Sequence, residues 1–145
     1  MQSLKILNSK EKNIIFNKLK EHFGIKELRL DYVFFKNNEG KIFLLNNDVS
    51  KLDLDKLKIN SLGVYFGVFE NSFRLSIEGT QLVGDRASKN IIELEDPTKW
   101  LEGNDVNIES DNGLKIVKSG RDFLGTGQLK NGVLINYIPK ERRIK

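Results

Sequence analysis

The chain has 145 residues, of which 39% are hydrophobic and 30% are charged, and its net charge is +4. This length allows one domain or two small ones, and the composition is that of a folded globular protein and not of a disordered chain. No apolar run approaches the roughly 18 residues of a membrane span, and the lysine-punctuated start lacks the apolar core of a secretory signal. We therefore expect a cytoplasmic protein without a membrane partner. The lack of cysteine excludes disulfides, thiolate zinc sites and cysteine nucleophiles.

The first clear element in chain order is a helix over residues 10–23. Asn8 can cap its free amides, with Glu11 as the reciprocal partner three residues later. Apolar residues then repeat every four positions, and Gly24 provides the stop. These local signals together predict an amphipathic helix.

Two hairpins and two shorter helical segments are predicted next. The runs YVFFK and KIFLL flank a four-residue loop, and a second pair of runs turns at Asn71-Ser72. Between the hairpins, DVSKLDLDKLKIN predicts a short helix or a polar turn. After them, TQLVGDRASK predicts a helix that is interrupted or kinked at its glycine. The first half is therefore expected to be an α+β module.

The second half predicts a turn-dense β module. IIELE is a strand, and Asp96 caps a short helix that begins at the following proline and ends at Gly103. Asn112-Gly113 and Asn131-Gly132 each lie between β-rich runs, which is the strongest short-range indication of a hairpin because both central residues take positive φ. Two hairpins in so short a stretch favour a small barrel.

The boundary between the halves is predicted near residues 86–90. No linker rich in proline, serine or glycine separates them. We therefore expect an α+β chain with domains at 1–87 and 88–145 that pack as one rigid unit.

The runs IIELED, PTKWLEGNDV, GLKIVKSGRDFLGTGQL and GVLINYIPKERR resemble a PUA domain. This small RNA-binding pseudo-barrel occurs in pseudouridine synthases and archaeosine transglycosylases. INSLGVYFGVFENSFRLSIEGTQLV resembles the pre-PUA segment of an archaeal and eukaryotic large-subunit ribosome-biogenesis factor. The chain is also similar to fmu-like PUA proteins and to the C-terminal parts of some RNA cytosine-5 methyltransferases. Its C-terminal end resembles the methyltransferase-associated PUA domain more than it resembles the end of the biogenesis factor. The resemblance implies an N-terminal α/β pre-PUA domain followed by a PUA-like β pseudo-barrel.

A basic cluster follows the last predicted strand. A run of charges near a terminus is often only solvated, but here an amide and an aromatic ring precede it, the mixture with which unpaired RNA is recognised. The resemblance implies that the last strand, the basic residues near it and the loop after the short helix form the RNA surface. We expect cations at two turns to approach it as well. The predicted RNA-binding residues are Gly103, Lys118, Arg121, Lys130, Asn136, Tyr137, Lys140, Arg142 and Arg143.

Four other features favour structural interpretations. The run Gly125-Thr126-Gly127 precedes a strand-like segment instead of a helix, so we expect close strand packing and no phosphate loop. His22 is the single histidine and is expected to be solvated or hydrogen-bonded, not a metal ligand. Trp100 is expected in the core. Glu93 and Glu95 share a strand face, and the sequence indicates no basic or histidine partner near them.

No catalytic constellation is evident, and the chain has neither the glycine-rich turn nor the length for a cofactor-binding methyltransferase domain. We therefore expect no catalytic residue, metal or cofactor. The expected function is non-catalytic binding of structured or partly unpaired rRNA or tRNA, in ribosome biogenesis or RNA modification. Two alternatives stay open, which are an RNA-specificity subunit acting in trans with an RNA methyltransferase, and a protein-interaction adaptor, for example for biogenesis proteins.

Overall fold

Two sheets, one in each half of the chain, organise the structure, a computed structural model that describes residues 4–26, 32–46, 63–69 and 72–144. Within these residues the first sheet has five antiparallel strands in the order β1-β2-β3-β4-β5. Their bounds are β1 Lys5–Ile6, β2 Tyr32–Lys36, β3 Lys41–Asn46, β4 Val64–Phe69 and β5 Phe73–Leu75. The predicted segment DVSKLDLDKLKIN lies outside the described residues.

Helix α1 (Ser9–Phe23) confirms the first predicted element, starting one residue earlier than expected. The Asn8 side chain accepts the Glu11 amide at 2.9 Å, and the Glu11 carboxylate accepts the Asn8 amide at 3.2 Å, so the reciprocal cap is present. Gly24 ends the helix with a φ of 71°. The predicted apolar face is buried and packs in the core of the first domain.

Both predicted hairpins of the first half are confirmed as strand pairs. In the β2–β3 loop the Asn37 carboxamide oxygen accepts the backbone amides of Glu39 and Lys41, each at 2.9 Å, and closes the turn. Strands β4 and β5 pair with Phe69 opposite Phe73. Of the predicted turn pair there, residue 71 lies outside the described residues.

Helix α2 (Ile77–Val83) begins three residues before the predicted start at residue 80. The cause is Ser76, whose hydroxyl accepts the Gly79 amide at 2.9 Å and so caps a helix in a stretch expected to be strand. At Gly84 the helix changes to a 3-10 turn (Gly84–Arg86), where a Cβ would lie 2.5 Å from the Phe123 ring. The predicted interruption at this glycine is confirmed.

The second sheet also has five strands within the described residues, in the order β6-β8-β9-β10-β7, and it curls into a half-barrel. Strand β6 is parallel to β8, and the other neighbours are antiparallel. The bounds are β6 Ile91–Glu93, β7 Val106–Asn107, β8 Gly113–Ser119, β9 Asp122–Lys130 and β10 Val133–Asn136. The α+β class predicted from the sequence is confirmed.

Short helix α3 (Thr98–Leu101) lies between β6 and β7. The N-cap position is Pro97 and not Asp96 as predicted. The Asp96 carboxylate, one residue earlier, accepts the hydroxyl and the backbone amide of Thr98 at 2.6 and 3.0 Å, and these bonds lower the pKa of Asp96 below its usual value. The helix begins at Thr98, one residue after the expected proline. Trp100 on this helix is fully buried, which confirms its place in the core.

One of the two Asn-Gly hairpins is confirmed and the other is wrong. Asn131 and Gly132 have φ values of 51° and 82° and close the β9–β10 hairpin. Asn112-Gly113 does not join paired strands, because β7 pairs with β10 at one edge of the sheet and β8 lies near the other. The Asn112 carboxamide instead accepts the Asn131 amide at 2.9 Å, so one Asn-Gly turn supports the other.

Hydrogen bonds between α2, β5 and β9 join the two domains. Gly125 donates its amide to the Thr80 hydroxyl at 3.0 Å, and the Thr126 hydroxyl donates to the Leu75 carbonyl at 2.9 Å. The apolar core of the first domain continues into β8. The two domains are therefore joined by hydrogen bonds and by a shared apolar core.

The close strand packing expected of Gly125-Thr126-Gly127 and the hydrogen bond expected of His22 are confirmed. A Cβ on Gly127 would lie 2.7 Å from the Trp100 ring, so this glycine allows helix α3 to pack closely on β9. His22 donates its Nε2 hydrogen to the Leu114 carbonyl across the junction, with 2.7 Å between nitrogen and oxygen.

Candidate nucleic-acid interface

The turn cations do not converge as the sequence suggested. Lys118 and Arg121 flank the β8–β9 turn, whereas Lys130 ends β9 at its other end. Eight residues at about 3.3 Å each separate the two ends of β9 by about 26 Å along the strand. Strand β10 runs from a position opposite Lys130 to one opposite Gly127, so the tail that follows it moves away from Lys130.

Lys118 is partly occupied by contacts within the protein. Its ammonium lies 3.8 Å from the Glu93 carboxylate and 5.4 Å from the centroid of the Phe123 ring. Glu93 also accepts the Gly120 amide at 3.2 Å and so supports the β8–β9 turn. The expectation that Glu93 has no basic partner is therefore wrong, because the parallel pairing of β6 with β8 places Lys118 beside it.

Asn136 has a structural role that the sequence did not indicate. Its side-chain amide donates to the Trp100 carbonyl at 2.7 Å and to the Asn104 carbonyl at 3.1 Å. Its carboxamide oxygen accepts the Ile138 amide at 2.7 Å. Both side-chain N–H groups are used within the protein, and Asn136 ties the last strand to the loop after α3.

The tail folds back on that same loop. Gly103 has a φ of 96°, and a Cβ there would lie 2.3 Å from Cδ of Arg143. The Arg143 Nε–H donates to the Ile138 carbonyl at 3.0 Å, and the Ile144 amide donates to the Leu101 carbonyl at 2.9 Å. Gly103 therefore supports the tail by leaving room for an arginine stem, and the predicted basic run is an ordered turn.

The short 3-10 helix Lys140–Arg142 within the tail places its two cations in different surroundings. Lys140 is exposed. The Arg142 guanidinium forms an ion pair with Glu78 of α2, across the junction between the domains. The tail is therefore attached to both domains.

A groove of about 250 Å³ lies beside this ion pair, between the two domains. Tyr137, with 36% of its surface exposed, lines it, and the guanidinium carbon of Arg74 lies 4.2 Å from the centroid of the Tyr137 ring. Its other charged and aromatic lining residues are Lys41, Tyr65, Glu78 and Arg142. The structure thus brings Tyr137 and Arg142 of the predicted set together with first-domain residues that the sequence did not indicate.

The described residues contain no group of three or more histidine, aspartate and glutamate side chains arranged to hold a metal ion. In the same part of the chain, no helix has the length and apolar character of a membrane span.

Comparison with known families covers both halves of the chain. The NIP7/UPF0113 pre-PUA domain matches residues 4–77, and the PUA domain of methyltransferase RsmF matches residues 89–144. No individual curated protein matches. The first match covers more than half of the 145 residues, and the order of the two domains is the one that the sequence resemblance predicted. The chain therefore belongs to the NIP7/UPF0113 pre-PUA family and is a PUA-domain RNA-binding protein of the NIP7 type.

Proposed function

We propose that this protein is a cytoplasmic, non-catalytic RNA-binding adaptor in ribosome biogenesis or in rRNA or tRNA modification. The observation that carries the proposal is the ordered tail, which holds Tyr137 and Arg142 beside the junction of a pre-PUA and a PUA domain and keeps Lys140 exposed on the same short helix as Arg142. Cations at fixed positions neutralise RNA phosphates, and an aromatic ring beside them offers a stacking surface for an unpaired base. The chain then supplies affinity and orientation, while a partner performs any chemistry.

A second candidate function is RNA recognition in trans for an RNA methyltransferase. The match of residues 89–144 to the PUA domain of methyltransferase RsmF favours it, because that name describes a PUA domain associated with a methyltransferase. In this alternative the chain provides the RNA-binding part, and a separate chain binds the methyl donor.

Crosslinking in native cells, followed by sequencing of bound RNA and identification of co-purified proteins, tests these functions. The adaptor function predicts fragments of rRNA or tRNA, or of their precursors. A stable methyltransferase partner purified with the same RNA would favour the second candidate. Recovery of protein partners without any RNA would contradict both and would favour the protein-interaction adaptor.

Replacing Lys140 and Arg142 together by alanine is expected to weaken binding of single-stranded RNA and to reduce its salt dependence. If three or four cations contact phosphates, log affinity should fall against log salt with a slope of about −2 to −3, and loss of two contacts should flatten the slope by about 1.4. Fluorescence anisotropy over a series of salt concentrations measures both quantities. Lys130→Ala is the control, because this exposed cation lies away from the tail. An equal effect of the control would refute the assignment of the tail.

A further inference from the structure

The interdomain groove contains two contacts between a cation and an aromatic ring. The guanidinium of Arg74, from β5, lies over the ring of Tyr137, from the segment after β10, so this pair spans the two domains. The Lys41 ammonium lies 5.7 Å from the centroid of the Tyr65 ring. Residues from both domains, including Leu75 and Thr126, complete the lining. The groove therefore exists only when the domains are packed together.

The charged residues that line the groove are three cations and one carboxylate. The cations are Lys41, Arg74 and Arg142, and the carboxylate is Glu78. Glu78 is held by Arg142, while Lys41 also lies 3.7 Å from the carboxylate of Glu39, outside the groove. The side chains in this place therefore favour a ligand with a negative charge.

We propose that the groove binds one unpaired nucleotide of the RNA, with its base against the Tyr137–Arg74 pair and its phosphate on Arg142. The inference rests on the proposed RNA-binding function and assigns part of the RNA site to the pre-PUA domain. Flat aromatic and guanidinium surfaces stack on bases, and arginine binds phosphate through paired N–H donors.

The size of the groove agrees with a single nucleotide. Pockets for drug-sized ligands begin at roughly 300 Å³, and this groove of about 250 Å³ falls just below that range. It accommodates one base with its phosphate at the edge, but not a stack of several. In an A-form duplex the bases are stacked and paired, so only a looped, bulged or single-stranded nucleotide can enter.

Glu78 acts in this proposal as a competitor of the phosphate. Its carboxylate forms an ion pair with the Arg142 guanidinium in the structure without RNA. A phosphate that binds Arg142 must displace the Glu78 carboxylate and is then repelled by its negative charge. Glu78→Gln retains the shape of the side chain and removes that charge. The variant should therefore bind RNA more tightly, up to about fivefold, which is the range expected for a partly exposed ion pair.

The test measures binding of a fluorescently labelled ten-residue oligouridylate by the full chain over a series of salt concentrations. Tyr137→Ala should weaken binding about 5- to 150-fold, the range for loss of one stacked base, with little change in the salt slope. Tyr137→Phe, which retains the ring, should bind as the wild type does. Glu78→Gln should bind more tightly. In the background of the distant Lys130→Ala, the loss of affinity caused by Tyr137→Ala should be the same as in the wild type.

Three outcomes separate failure of this inference from failure of the proposed function. If the wild type does not bind the oligouridylate or any other RNA, the proposed function fails, and the groove assignment fails with it. If the wild type binds and the Lys140/Arg142 double variant weakens binding, but Tyr137→Ala and Glu78→Gln bind as the wild type does, only the groove assignment fails. If both groove variants lose thermal stability and Glu78→Gln binds less tightly, the contacts merely hold the domains together. Glu78→Gln gives opposite signs in the two cases, so the test does not depend on Tyr137→Ala remaining folded.

Discussion

Gly79→Ala is expected to lower the free energy of unfolding by about 3 kcal/mol. Gly79 lies in the first turn of α2, where an ideal Cβ would be 2.2 Å from the Phe66 carbonyl oxygen and 3.2 Å from a Leu75 methyl group. The nearest atom belongs to the backbone of β4, so it cannot move away by a change of rotamer. Overpacking typically costs about 1–3 kcal/mol and occasionally more. A fixed backbone atom at this distance places the cost above that range, at about 4 kcal/mol, of which the higher helix propensity of alanine offsets about 1 kcal/mol.

The attachment of α2 on three sides explains why relaxation is limited. The Ser76 hydroxyl caps the helix and donates to the Tyr65 carbonyl, and the Ser76 amide donates to the Phe66 carbonyl at 3.0 Å. Thr80 of the same helix accepts the Gly125 amide from the second domain. Moving α2 away from β4 therefore loosens the domain junction and the groove beside it.

Urea denaturation of the full chain measures this change. Gln81→Ala is the matched control, since this exposed residue on the same helix is expected to alter stability by less than about 0.5 kcal/mol. A Gly79→Ala protein as stable as the control would mean that α2 can shift without cost, and the close approach of Gly79 to β4 would then contribute nothing to the free energy of unfolding.

Local signals account for the elements that the sequence predicted correctly. The reciprocal cap of Asn8 and Glu11 involves residues three apart, and the Asn131-Gly132 turn requires only the preference of two neighbours for positive φ. The buried Trp100 follows from an apolar residue on a short helix between a cap and a glycine. Each of these signals lies within a few residues of the feature that it indicates.

Features that depend on distant pairing were missed or wrongly assigned. Asn112-Gly113 has the same two residues as the true hairpin turn, but the strands on either side of it do not pair with each other. Strand β7 pairs instead with β10, which lies further along the sequence. Ser76 differs, because its bond to the Gly79 amide is local, but it directly follows the strand residues Phe73–Leu75, so the β pattern hides the start of α2.

The candidate site divides in the same way. The tail cations and Tyr137 are predicted from the sequence because they cluster after the last strand. The contacts of Arg74 and Glu78 with the tail are not predicted from the sequence. Nothing in the local sequence of β5 or α2 indicates that the C-terminal tail, more than 60 residues later, returns to them. The structural role of Asn136 is not evident from the sequence, since its partners, the Trp100 and Asn104 carbonyls, become close only when the half-barrel forms.

Asn90→Ala is expected to be as damaging as Gly79→Ala, by a different cause. Asn90 has a φ of 57°, a conformation that costs alanine roughly 1–2 kcal/mol. Its carboxamide oxygen accepts the Lys115 ammonium at 3.0 Å, and its amide group donates to the His22 carbonyl. Lys115 is only 4% exposed, and hydrogen bonds to charged groups contribute about 1.5–3 kcal/mol. Together these terms give a loss of about 3–5 kcal/mol in the free energy of unfolding.

Two further variants separate the backbone term from the loss of the hydrogen bond to Lys115. Asn90→Gly tolerates the positive φ but lacks the carboxamide, so its cost relative to Asn90→Ala isolates the backbone strain. Lys115→Met removes the buried charge, and in that background Asn90→Ala should cost about 1.5–3 kcal/mol less than in the wild type, a coupling that a double-mutant cycle in urea measures directly. If the two substitutions were simply additive, Asn90 would act through its backbone and its bond to the His22 carbonyl, and not through Lys115. With the expected coupling, the start of the second domain is held to α1 by an asparagine that satisfies a buried lysine from β8.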